Sequence, residues 1–153
     1  MKTVKTPYHK DLPVESTSLQ YWLNEAVNDL PLLMQLNKVV IDNEISAGLL
    51  TQADKNLVCP VINQLLKTVL TNARETSICI TAEKYSDVVT LHVVDRNNNN
   101  GYALSFGLLS VGRHARRIGG DIAVKDIQRK VARVSFSFPD TAGTKAYTFE
   151  ACA

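Results

Sequence analysis

Two polar side chains close apolar elements at places where a ligand could be met. Asn72 lies at the end of an amphipathic stretch from Leu57 to Ala73, and Asp95 ends an apolar run, Val88-Val89-Thr90-Leu91-His92-Val93-Val94-Asp95. An amide oxygen such as that of Asn72 can serve a hard cation like Mg²⁺, which takes oxygen ligands. A carboxylate such as that of Asp95 can accept hydrogen bonds from a bound group, or form a turn with its own backbone. Downstream, Ser105-Phe106-Gly107-Leu108 reads as a helix start, whose free amides and positive dipole end make a ready anion site. Asp95 is separated from that start by a run containing four consecutive asparagines, Asn97 to Asn100. Asparagine tolerates left-handed backbone better than other non-glycine residues, so the run suits a turning loop. One turn before Asn72 stands Thr68, which is no general base at neutral pH.

The elements that must hold these groups are legible from periodicity. Thr17-Ser18-Leu19-Gln20 fits a capping box, followed by an apolar stripe of Leu19, Trp22, Leu23, Ala26, Val27 and Leu30 that Pro31 interrupts. Leu36 to Ile45 reads as a strand around Val39-Val40-Ile41, and Leu49-Leu50 as a short edge piece. Asp54 is placed to cap the helix ending at Asn72, with Pro60 expected to delay or kink its start. Ser77 to Glu83 and Val88 to Asp95 are strands joined by a tight turn at Tyr85-Ser86-Asp87, and Asn97 to Gly101 is a loop. A second core helix runs from Gly107 to Ile118, ended by Gly119-Gly120. Ile122-Ala123-Val124 and Val131 to Phe138 form a last hairpin, with Ala132, Val134, Phe136 and Phe138 inward and Pro139 stopping it. This string predicts an α/β (α+β) two-layer sandwich, a mixed, mainly antiparallel sheet with helices on one face. Residues 1–15 read as an N-terminal arm, 16–139 as one domain and 140–153 as a tail.

The order of Asn72, Asp95, Gly107 and the Gly119-Gly120 pair resembles the nucleotide-binding domain of the GHKL superfamily, which groups gyrase-type topoisomerases, the large heat-shock chaperone, sensor histidine kinases and mismatch-repair ATPases. The histidine-kinase branch is the nearest. The resemblance implies a Bergerat-type ATPase fold over residues 16–139 that takes ATP and Mg²⁺, in a bacterial two-component signalling protein. Asn72 would hold the metal, Asp95 would accept a hydrogen bond from the adenine amino group, and Asn97, Asn99, Gly107 and Leu108 would line the nucleotide. Any phosphoryl transfer, to histidine or serine, would go to an acceptor on another domain.

The sequence departs from that pattern in four places. Where the family has D-x-G-x-G, this chain has Asp95-Arg96-Asn97-Asn98-Asn99, so side chains stand where backbone should meet the ligand. Thr68 replaces an acidic or amide side chain, and Glu75 stands where a basic residue is frequent. The segment available as a lid, Asn100 to Leu104, is too short to cover a nucleotide. These departures imply the alternative of a catalytically inactive pseudo-ATPase, an interaction or scaffolding module.

Bulk properties exclude several other classes. A net charge of +2 and a basic cluster (Arg113, His114, Arg116, Arg117) without interleaved aromatics give no support for nucleic acid, though the cluster could dock an acidic partner domain. No apolar run is long enough to span a bilayer, and Met1 to Pro7 lacks the apolar core of a signal peptide. Cys59, Cys79 and Cys152 form no C-x-x-C pair and read as thiols in a reducing cytoplasm. His9, His92 and His114 make no metal-ligand cluster, and none sits in a helix resembling a phosphoacceptor helix. A protein partner and a possible homodimer are the expected associations.

Overall fold

A computed structural model describes residues 17–141. Along the chain lie β1 (Thr17–Ser18), α1 (Leu19–Asn28), α2 (Pro31–Asn37), β2 (Val39–Asn43), β3 (Leu50–Thr51), α3 (Lys55–Thr71), β4 (Thr76–Tyr85), β5 (Val88–Asp95), α4 (Gly101–Arg117), β6 (Asp121–Lys125), a 3₁₀ turn (Ile127–Arg129) and β7 (Ala132–Pro139). The expected arm 1–15 and all but the first two residues of the expected 140–153 tail lie outside the described residues.

Five strands form a sheet in the order β2-β4-β5-β7-β6, with β2 parallel to β4 and every other pair antiparallel. The alternation read in β5 and β7 sets two faces. Val89, Leu91 and Val93 lie beside Phe138, Phe136 and Val134 in register, and all six are buried. Against this face pack α1, α3 and α4, through Leu19 and Leu23, Val61, Leu65 and Val69, and Leu104, Leu108 and Val111. On the opposite face the rows are polar: Thr81, His92 and Ser135, then Glu83, Thr90 and Ser137. Helices therefore cover one face of a mixed, mainly antiparallel sheet, as the sequence predicts.

Several local expectations change. Leu36 is helical, not part of a strand: Pro31 begins α2 as its first residue, a place where its missing N–H costs nothing, and Lys38 ends it in the left-handed region at φ 56°. The cap of α1 is Ser18, whose Oγ accepts from the Tyr21 amide, while the Gln20 amide group bonds Ile45 O at 2.8 Å. Asp54 caps α3 as expected, but the helix starts at Lys55 and takes Pro60 into its second turn, with no late start. The largest change is in α4, which begins at Gly101, six residues before the predicted Gly107.

Beyond β7 the chain is fastened by Asp140. Its Oδ1 accepts from Thr51 Oγ1 at 2.7 Å and the Gln52 amide at 2.9 Å, and its Oδ2 lies 3.2 Å from Lys84 Nζ. Burial pushes this carboxyl up, but the Thr51 hydroxyl, the Gln52 amide and Lys84 outweigh it and hold its pKa below the usual value. A carboxyl with a lowered native pKa adds stability above its unfolded pKa and loses it as pH falls through the native one. Asp140→Ala should thus cost about 1–2 kcal/mol near neutral pH. The cost should shrink as the pH drops below about 4, and urea melts at several pH values would show whether it does.

Candidate functional site

Asp95 is the last residue of β5 and is fully buried. A buried carboxylate is costly unless its lone pairs are bonded. Here Oδ1 accepts from Thr76 Oγ1 at 2.9 Å and from the Asn97 amide at 3.1 Å, and Oδ2 accepts from Asn98 Nδ2 at 3.0 Å. Register explains the first contact: Asp95 pairs with Ile78, so Thr76, two residues back along β4, stands on the same face beyond the end of β5. The Asn97 contact is an Asx turn.

Asn72 is the C-cap of α3 and stands beside this carboxylate. Its side chain folds back, Nδ2 donating to Thr68 O at 2.9 Å. Its own carbonyl accepts from Asn98 Nδ2 at 3.3 Å and from Asn100 Nδ2 at 3.4 Å. Asn72 and Asp95, apart in sequence, are therefore joined through one side chain, Asn98.

The asparagine run divides by side. Asn97, Asn99 and Asn100 are exposed, whereas Asn98 is buried. Sequence reasoning selected Asn97 and Asn99 by analogy with glycine positions, and passed over Asn98 and Thr76. Residue type does not separate Asn98 from its three neighbours, and its contact with Asp95 is visible only in the folded turn. The loop is further tied by the Asn98 amide, which donates to Lys130 O at 2.7 Å.

Gly107 and Leu108 are not at a helix start. Gly107 is the seventh residue of α4, and Leu108 is buried in the core, so neither offers a free amide to an anion. Gly107 instead allows close packing of α4 on α3: a Cβ there would lie 3.0 Å from Thr68 Cγ2. Only Arg96 to Asn100 separate β5 from α4. Glu75, in left-handed backbone at φ 49°, faces Lys38 across 3.9 Å on an exposed surface, an ion pair of little energetic weight.

A cavity of about 530 Å³ opens between the loop, the start of α4 and the 3₁₀ turn, lined by Asn98, Asn99, Gly101, Tyr102, Ser105, Ile127 and Lys130. A larger groove of about 720 Å³ lies between α2 and α3 and is mostly apolar. Size favours the second and chemistry the first, which is lined by Asn98, the side chain that reaches Asp95.

On the other face of the sheet, His92 joins Ser135 (Nδ1 to Oγ, 2.9 Å) to Glu83 (Nε2 to Oε2, 3.1 Å). The order serine, histidine, acid is that of a nucleophilic triad. Ser135, however, sits mid-strand between β5 and β6, paired on both sides, so no neighbouring amides are left to stabilise an oxyanion. These residues bridge three neighbouring strands. The basic cluster is partly engaged: His114 Nδ1 meets Gln64 Oε1 at 2.8 Å, and Arg116 lies 3.6 Å from Asp121.

Cys59 and Cys79 are free thiols, as read from the sequence; Cys152 lies outside the described residues. Burial pushes the Cys59 thiol up to about 11, with Lys55 pulling weakly the other way. Thiolate is the reacting species. In a Cys152→Ser background, neither thiol should react quickly with an aromatic disulfide reagent at pH 8 until the protein is unfolded. Fast reaction of the native protein would contradict the burial.

No family model and no curated protein matches the chain. Solved structures do match. Acinetobacter baumannii histidine kinase AdeS superposes with a TM-score of 0.67 at 13% identity, over 82% of this chain and 66% of that one. The catalytic domain of histidine kinase ThkA, nucleotide free, gives 0.67 at 16% identity, over 84% and 96%. Full-length ShkA in complex with AMPPNP gives 0.65 at 13% identity, over 86% of this chain and 32% of ShkA. The fold is thus that seen in histidine-kinase catalytic domains.

Proposed function

We propose that this chain is a nucleotide-binding domain of the histidine-kinase type, working in the cytoplasm within a two-component signalling pathway. One observation carries the reading: a fully buried carboxylate, Asp95, stands at the end of a central strand beside Asn72. A histidine-kinase catalytic-domain fold surrounds this pair, and one match to that fold, ShkA, is a complex with AMPPNP. In this reading Asp95 accepts from the adenine amino group. Asn72 Oδ1 would be the oxygen that this chain offers to a nucleotide-bound Mg²⁺, because Asn72 Nδ2 is committed to Thr68. Phosphates would meet the first amides of α4 near Gly101, and Asn97 and Asn99 would flank the base from the exposed side of the loop. The chain assigns itself no catalytic side chain, so any transfer rests on positioning toward an acceptor on a partner domain.

Calorimetric titration of ADP and ATP, with and without Mg²⁺, tests this. Binding in the micromolar to millimolar range that Asp95→Asn abolishes is expected. Absence of binding at millimolar nucleotide would sink the reading.

A second reading, a non-catalytic interaction module, is favoured by the outward face of α4. Tyr102, Phe106 and Leu109 form an exposed apolar stripe that continues into Arg113, on a helix with no acidic residue. The partner this reading takes is a protein surface that would cover the stripe.

A further inference from the structure

Asn98 uses its two ends differently. Its Oδ1 accepts from the Asn100 amide at 3.1 Å, which is all that an Asx turn requires. The Nδ2 end reaches inward, donating to Asp95 Oδ2 at 3.0 Å and Asn72 O at 3.3 Å. A planar NH₂ on an sp² carbon, with both hydrogens engaged, is thereby delivered to a buried carboxylate and a helix-end carbonyl. An aminopurine presents the same donor at its exocyclic nitrogen.

We infer that Asn98 is a built-in competitor for the ligand's amino group, and that its release from Asp95 is the step that opens the nucleotide site. The inference rests on the nucleotide reading of Asp95 given above. Both oxygens of the carboxylate are engaged from within: Thr76 and Asn97 hold one, and Asn98 takes the inward position on the other. The closed form is latched at two further points, Asn98 N to Lys130 O at 2.7 Å and Asn100 Nδ2 to Asn72 O at 3.4 Å. It can still open locally. Asn98 also lines the cavity of about 530 Å³, so rotation of the side chain has space without unfolding the loop. A ligand that binds only the open form sees its affinity reduced by the fraction of molecules that are open. Removing the competitor should therefore raise affinity, selectively for ligands that carry the amine.

Asn98→Ser separates the two ends. A serine oxygen can still cap the Asn100 amide but is too short to reach Asp95. Titrations of ADP and inosine diphosphate, which has a carbonyl in place of the amine, are compared for the wild type and this variant. ADP is expected to bind Asn98→Ser about tenfold more tightly than wild type, with no gain for inosine diphosphate. Equal ADP affinity in the two proteins would overturn the inference and leave the nucleotide reading standing. An equal gain for both nucleotides would overturn it too, since the pocket would merely have grown. Failure of both folded proteins to bind ADP at millimolar concentration would remove the inference and the nucleotide reading together. Should the variant not fold, the wild type still decides: the Asn98 side-chain NH₂ resonance must shift as ADP is added, and a resonance unmoved at saturation overturns the proposal.

Discussion

Asp95→Ala is expected to lose adenine-nucleotide binding and to lower the thermal midpoint by roughly 10 °C, the equivalent of about 3 kcal/mol for a chain of this size. Three donors converge on that carboxylate, from Thr76, Asn97 and Asn98, and truncation leaves them without that acceptor, the Asn98 side chain in a buried place and the Thr76 hydroxyl in a half-buried one. Each stranded donor costs about 1–3 kcal/mol, and part of the sum is returned because no charge has to be buried. Asp95→Asn divides the two effects. It keeps the shape and one acceptor, so roughly half of the stability loss is expected. Its NH₂ nevertheless faces donors where the carboxylate faced them with an oxygen, so recognition of an amine fails. A melting curve for Asp95→Ala unchanged within 1–2 °C would mean that the network is not the support described above. Retention of ADP binding by a folded Asp95→Asn would remove Asp95 from the nucleotide site.

The layered fold was legible because it rests on long periodic signals. The stripe from Leu57 to Ala73 and the alternation of Val88 to Asp95 each bury one face, and burial of one face fixes helix or strand and its orientation. What escaped were decisions made by one or two residues. Pro31 was read as an interruption, although a proline fits the first turn of a helix as readily as it breaks the middle of one. Gly107 reads as a helix start only through its resemblance to a family glycine box, whereas in the fold it lies inside α4 and admits Thr68 at close range. The site shows the same division. Asn72 and Asp95 were found by their places at the ends of strong elements. Asn98 was passed over because four identical residues carry no internal signal. Only the geometry of the turn decides which of them points inward.

A graded series at three glycines should show how tightly α4 is held between the site and the sheet. Gly120→Ala is expected to be the most damaging, at about 3 kcal/mol, because overpacking against rigid atoms forces the backbone to move. The added methyl would stand 2.2 Å from the Ser137 carbonyl oxygen and 3.2 Å from the Phe136 ring. Ser137 belongs to β7, paired on one side with Thr90 and on the other with Asp121, so it cannot yield without disturbing two ladders. Gly120 also donates to Ala115 O at 2.8 Å, the bond that closes α4, and displacement would fray that end. Gly107→Ala should be near neutral. Its methyl meets Thr68 Cγ2 at 3.0 Å, a cost offset by the roughly 1 kcal/mol that alanine gains over glycine inside a helix. Gly101→Ala faces a clash of 2.0 Å with Ile127 Cγ2, a methyl carried directly on the Cβ of a β-branched side chain, so relief needs a χ1 change or a shift of the short turn that bears it. Its expected cost is about 1–2 kcal/mol. Denaturant melts of the three variants should therefore rank Gly120, Gly101, Gly107 in falling cost. A Gly120→Ala protein as stable as wild type would show that the junction of α4 with β7 is looser than the Ser137 contact requires.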